Sequence, residues 1–454
     1  MASSDTVIRN GKIWLLLKFL LPTLIGILLF LTPITYGGKQ TILMAIITDF
    51  LRAPLEPILL GFIVSVVALG AVGSGIYVIF KPNWQEEQPS LYAAFHATPA
   101  WLFIRTLGAV IGLMVYFQIG PEFVWSIATG QTVFIEIGAA VFFILLVACM
   151  LMPFLTDYGF MEFVGVLLRK PFSMLFNLPG RAAIDATASL VSAASVGMLI
   201  TINQYEKGFY SARQSASVAT NFSIVSIPFS LAIAEVAGLG HLFFTWYLVV
   251  IAACLICAVI TVRIPPLARI PDTYNGSVGK QIHEDTMPEA SLFTTSLQNA
   301  MRRAENAPGP IQFIKNGWYA SLDVVFGVIG PAMAITTIAT ILAVHTEIFS
   351  TLSLPIYYIL DAINLPEAQT AAPGFIVGFL DQFMPALVAK DIDSELTRFV
   401  LAGLSVTQLI YMAEIGVIIL RSSLPLNFGH LAIIFTLRTI IVFPVFLAAG
   451  FWLL

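Results

Sequence analysis

Long apolar stretches separated by short polar ones set the pattern of this chain. Nine of them are long enough to cross a bilayer as helices: 13–34, 58–80, 100–118, 132–155, 214–234, 242–262, 318–343, 397–420 and 430–454. The first follows Arg9 and Lys12 as a signal peptide would. It has the length of a full span and no clean cleavage site, so it predicts a retained helix. Two more apolar stretches, 177–202 and 364–389, differ from the nine. Each opens with Asn-Leu-Pro, at Asn177 and Asn364, and each is interrupted midway. Ser189, Ser192 and Ser195 interrupt the first, and Gly378, Asp381 and Gln382 the second. Backbone groups freed at membrane depth must face protein or a wet cavity, so an interrupted helix reads as a re-entrant hairpin.

The two Asn-Leu-Pro steps stand 187 residues apart. The same offset pairs Glu136 with Asp323 and Thr220-Asn221 with Thr407-Gln408. Amphipathic segments at 157–172 and 346–362 precede the two hairpins. One gapless offset across several elements predicts an internal repeat of span, surface helix, hairpin, span and span. An odd number of crossings per copy inverts the second copy relative to the first, which is the architecture of secondary transporters.

The predicted fold class is therefore an all-α polytopic membrane protein. Its parts read as an N-terminal three-helix scaffold (1–130), a first repeat (131–262) with hairpin 177–202, a cytosolic connector (263–317), and a second repeat (318–454) with hairpin 364–389. A helix from Pro288 to Glu305 fits the middle of the connector.

Charge orients the spans. With the N-terminus in the cytoplasm, fifteen of the 22 lysines and arginines fall in cytoplasmic segments. Only Lys39, Arg52, Lys390 and Arg398 fall outside, and Lys18, Arg105 and Arg438 lie within spans. The expected location is a bacterial inner membrane, with the C-terminus extracytoplasmic. Composition agrees: 58% of residues are hydrophobic and 11% charged, against roughly 25% charged in soluble domains. A net charge of −4 without basic–aromatic clusters argues against a nucleic-acid partner. The five histidines are scattered, and Cys254 and Cys257 lack companions at ligand spacing, so no metal or cofactor is expected. No nucleophile–base pair points to an enzyme.

A carboxylate inside a span costs at least about 2.5–3.5 kcal/mol and normally faces a cavity or a partner. Asp381, beside Gln382 in the second hairpin, is the leading candidate for a substrate or ion role. Glu414 lies two turns beyond Thr407 on one helix face, and Asp185 is spaced to pair with Arg181. Thr220-Asn221 and Thr407-Gln408 read as unwound, site-lining backbone. In the first, Pro228 after Ser226 removes a backbone donor.

The run Leu178-Pro179-Gly180-Arg181-Ala182-Ala183-Ile184-Asp185, with Ser195-Val196-Gly197 downstream, resembles the YjiH family of bacterial membrane proteins, which carry the nucleoside recognition or Gate domain. The second half resembles the companion protein YjiG. The resemblance implies the layout of concentrative nucleoside transporters, in which hairpin tips and helix breaks build the substrate site and a transport domain moves elevator-fashion. Carried over by position, the substrate site would use Ser192, Ser195, Thr220, Asn221, Asp381, Gln382, Thr407 and Gln408. Asp381, Glu414 and Asp185 are the ion-coupling candidates. The glutamine, threonine and glutamate of a nucleoside transporter's first tip are serines and alanines here. The expected function is a secondary transporter of a small polar solute (nucleoside, amino acid or dipeptide-like), coupled to Na⁺ or H⁺. The alternative is a non-transporting Gate-domain protein with a structural or assembly role. The lipid bilayer is an expected partner, and a homo-oligomer is compatible with the pattern.

Overall fold

A computed structural model describes residues 2–30, 32–36, 39–191, 194–276, 279–280, 292–413 and 415–454. The chain is an all-α membrane protein; among the described residues one small sheet occurs, a hairpin of β1 (Pro33–Tyr36) and β2 (Lys39–Ile42) with Pro33 opposite Ile42. Six described stretches are long and apolar enough to cross a membrane: Ile13–Phe30, Leu43–Phe80, Pro99–Phe117, Gly240–Thr261, Pro310–Leu342 and Phe428–Leu453. A seventh, Phe142–Thr156 with Phe160–Leu167, is bent by 63°.

The N-terminal part comprises α1 (Ala2–Phe30), α2 (Leu43–Arg52), α3 (Leu59–Phe80) and α4 (Pro99–Phe117). Sequence reading began the second span at residue 58. Helical structure begins earlier because α2 buries Met44, Ala45 and Thr48 although Asp49 and Arg52 dilute its apolar run. Next come α5 (Ala139–Leu151), reached through π-helical turns at Ile127–Gln131 and Val133–Gly138, then α6 (Phe160–Leu167) and α7 (Arg169–Phe176). The bend before α6 turns on Gly159, whose φ of +104° is a left-handed conformation that glycine adopts freely.

Helices α8 (Ala182–Val191) and α9 (Ala194–Glu206) pack arm against arm. Gly197 permits this, since a Cβ there would overlap Ser189 Oγ. Helices α10 (Ala212–Asn221) and α11 (Ile227–Val236) are separated by a non-helical stretch at 222–226, where the sequence predicts an interrupted helix, and α12 (Phe243–Thr261) follows. The connector contains α13 (Leu292–Glu305), which packs on α1 and α6. Arg303 lies 3.7 Å from Asp157 and 3.6 Å from Glu162, and Phe163 stacks edge-on with Phe293.

Then come α14 (Pro310–Gly327), whose first turns fall within the stretch 263–317 read as connector, α15 (Ile329–His345) and α16 (Ile348–Ala362). Two single turns, Ala368–Ala371 and Gly374–Val377, then lead to α17 (Met384–Lys390). Helices α18 (Glu395–Thr407) and α19 (Ile415–Arg421) flank the second position where the sequence predicts an interrupted helix, and α20 (Phe428–Leu453) is the last helix. Asn177 and Asn364 both have positive φ, 53° and 57°, where α7 and α16 end. Asparagine tolerates that region, so each Asn-Leu-Pro step is a helix stop. The two halves of the chain interleave. Ala194 and Met198 of α9 share a core with Ile410, Tyr411 and Ile415 of the second interrupted helix. In turn, the Phe383 ring lies 4.7 Å from Phe229 of α11.

Candidate functional site

Two helices stop inside the molecule. Helix α10 ends at Asn221 and resumes at Ile227, with Ser226 at the N-cap position and Pro228 at the second helical position. Proline fits there because the first-turn N–H groups have no intrahelical acceptor. Helix α18 ends at Thr407, and Leu409 takes a φ of +58° before α19 begins at Ile415. The last carbonyls of α10 and α18 are the ones an interrupted helix leaves without intrahelical donors.

Arg438, in the middle of α20 and fully buried, answers both. Its Nε and Nη2 donate to the Thr407 carbonyl at 2.9 and 2.6 Å. Its Nη1 donates to the Thr220 carbonyl at 3.2 Å and to Asn221 Oδ1 at 2.8 Å. Asn221 Oδ1 also accepts from Thr261 Oγ1 at 2.7 Å, while its Nδ2 donates back to the Ser217 carbonyl at 3.1 Å. Thr220, Asn221 and Thr407 are thus drawn together by one guanidinium. Their hydroxyl groups serve their own helices: Thr220 Oγ1 donates to the Ala216 carbonyl and Thr407 Oγ1 to the Gly403 carbonyl.

Gln408 faces the second hairpin. Its Nε2 donates to the Phe375 carbonyl at 3.0 Å and to Thr439 Oγ1 at 2.9 Å. Its Oε1 is buried against Gly378 without a hydrogen-bond partner. The segment after α18 is stitched to the hairpin tip by Met412 N–H to the Phe379 carbonyl (2.8 Å) and Ala413 N–H to the Leu380 carbonyl (2.9 Å). At that tip Asp381, 6% exposed, accepts the Phe383 N–H at 2.8 Å. The adjacent Gln382 carbonyl accepts from Ser405 Oγ, and Gln382 Oε1 is a second buried acceptor without a partner.

Asp185 sits elsewhere, at the base of the first hairpin, where its Oδ2 accepts from Tyr210 OH at 2.5 Å. Arg181, which spacing would pair with Asp185, lies over the Phe209 ring at 4.4 Å. Ser192 and Glu414 fall outside the described residues, as does the side chain of Ser195. In the sequence Arg438 stands out only as a basic residue within a span. The available signal was the cost of an arginine at the centre of an apolar 26-residue helix, which marks an intramembrane partner.

Residues 139–240, from α5 through the first interrupted helix, match the family model for the Gate domain, described as nucleoside recognition. The chain is 45% identical over 433 residues to an uncharacterized protein of Alkalihalophilus pseudofirmus, an alignment covering 94% of this chain and 93% of the relative. No solved structure matches it. A transporter-type domain, several bilayer-length helices and a near-full-length relative converge: the chain belongs to the YjiH-like family of multi-pass Gate-domain membrane proteins.

Proposed function

We propose that this protein is a secondary active transporter that carries a small polar organic solute across a bacterial inner membrane, coupled to Na⁺ or H⁺, by elevator-type alternating access. In this reading the two interrupted helices add two crossings to the seven candidates, for nine in all, with a cytoplasmic N-terminus. The observation that carries it is the meeting of two helix breaks, one from each repeat, beside a hairpin tip bearing a buried carboxylate. Discontinuous helices meeting at the interface of inverted repeats are how secondary transporters build their sites. The orphan acceptors Gln382 Oε1 and Gln408 Oε1, with the Asp381 carboxylate, favour a solute that brings hydrogen-bond donors.

The test is a thermal-shift screen of the purified protein against nucleosides, amino acids, dipeptides and organic acids, at varied Na⁺ and pH. A solute at 100 times its Kd stabilises the folded state by about 2.7 kcal/mol, so a transported class stands out in the panel. A second reading, a Gate-domain protein with a structural or assembly role, is favoured by the near-complete burial of Thr220, Asn221, Thr407 and Gln408. It predicts that no solute shifts the melting temperature.

A further inference from the structure

We propose that Arg438 is a tethered cation, filling from within the chain the oxygen cage where the two helix ends would otherwise hold a monovalent metal ion. The cage consists of the Thr220 and Thr407 carbonyls and Asn221 Oδ1, at 2.6 to 3.2 Å from the guanidinium nitrogens. Thr220 and Thr407 stand at the repeat offset of 187, so the carbonyls come from equivalent points of the two copies. Each lies at a helix C-terminus, where aligned peptide dipoles concentrate partial negative charge. Buried carbonyls at such an end need donors or a cation, and C-terminal ends of broken helices are a recurring place for coupling sodium in transporters. Here the guanidinium supplies the charge. Among the described residues no carboxylate lies within 4.0 Å of it, and its described partners are oxygens and one sulfur.

The donor count has a second consequence. A guanidinium has five N–H groups. Four point at the cage oxygens, and the fifth points at Cys254 Sγ, 4.0 Å from Nη2. None is left to grip a solute carboxylate, so Arg438 is a positioning residue that ties the two helix breaks together. The inference deepens the transporter reading by moving the coupling ion away from this cage: sodium does not bind there, and Asp381, Glu414 and Asp185 are left as the ion-coupling candidates.

The test follows the melting temperature of the full-length protein and of Arg438→Ala, in guanidinium chloride, NaCl or choline chloride at equal low-millimolar concentration. Wild type is expected to gain no stability from guanidinium over choline at fixed pH, and any sodium response it shows is expected to survive Asn221→Ala. Arg438→Ala is expected to melt several degrees lower and to recover much of that loss in guanidinium, and part in sodium, but none in choline. An undiminished melting temperature, or a loss that guanidinium does not repair, overturns the proposal. So does a sodium-specific stabilisation of wild type that Asn221→Ala abolishes. If Arg438→Ala does not purify, Arg438→Lys and Arg438→Met decide instead. The lysine variant retains the charge and must be the more stable of the two, and equal stability overturns the proposal. No solute enters these measurements, so a failed solute screen leaves them intact and their failure leaves the solute reading intact.

Discussion

Lys18, Arg105 and Arg438 lie where the hydropathy pattern puts membrane, and each finds oxygen. Lys18 Nζ donates to the Glu305 and Ala307 carbonyls at the end of α13, both at 3.2 Å. Arg105 donates to Ser74 Oγ, and its Nη2 shares with Asp323 Oδ1 the space over Gly327. Arg438 holds the two helix ends. An intramembrane charge persists only when its surroundings offset the cost, so the acceptors matter as much as the arginine. Asn221→Ala removes the oxygen shared by Arg438 Nη1 and Thr261 Oγ1. We expect it to destabilise the protein by about 1–3 kcal/mol, the cost of unsatisfied buried donors. Gln408→Ala removes the donor to the Phe375 carbonyl and is expected to weaken solute binding by a similar ~1–3 kcal/mol. Thermal unfolding and solute titration of the two variants check these values. Asp381→Asn keeps an acceptor for the Phe383 N–H while removing the charge. The variant should purify normally and lose the dependence of melting on pH or Na⁺. Retained dependence would place the ion-responsive group elsewhere.

At the level of elements, Gly159 sets the bend between α5 and α6 and touches the connector. A Cβ there would come within 2.4 Å of the Ala300 carbonyl, and the φ of +104° already disfavours a side chain. Gly159→Ala should therefore cost roughly 1–3 kcal/mol and expose α13 to protease, and an unchanged digestion pattern would contradict this. The hairpins make a sharper prediction. With Cys149 replaced by alanine, single cysteines at Ser173 or Asn203 should react with an impermeant maleimide only from the cytoplasm. Those at Asp361 or Lys390 should react only from outside. Labelling of one pair from opposite sides would turn that hairpin into a crossing. Much of this layout is written in the residues. Asn177 and Asn364 mark helix stops because asparagine tolerates the conformation that ends a helix. Thr220-Asn221 and Thr407-Gln408 mark interrupted helices because polar side chains gather where backbone groups are freed. The bend at Gly159 and the helix at Leu43–Arg52 were not legible. One depends on a distant contact with Ala300, and the other is amphipathic rather than apolar. The Arg438 cage was also hidden, since it joins residues 217 and 218 positions apart in the sequence.

On the scale of the whole molecule, the two halves of the chain interleave, Ala194 and Met198 packing on the second helix break and Phe383 on α11. In the proposed transport reading these halves are two copies of one motif inserted in opposite senses. The nine crossings proposed would put the termini on opposite sides. A reporter active only outside the cytoplasm should therefore work when fused after Leu454 and fail when inserted at Gly276, and the reverse result would remove one crossing. Such an arrangement is useful because the solute site at the junction can face either side as one body moves against the rest. The most direct measurement of that claim is counterflow in proteoliposomes loaded with unlabelled uridine, alanine or dialanine and challenged with the labelled compound. Wild type is expected to accumulate at least one of these classes saturably, and Asp381→Asn reconstituted at equal density to accumulate none. Flux of no class above that of protein-free vesicles, or equal flux through wild type and Asp381→Asn, would contradict it.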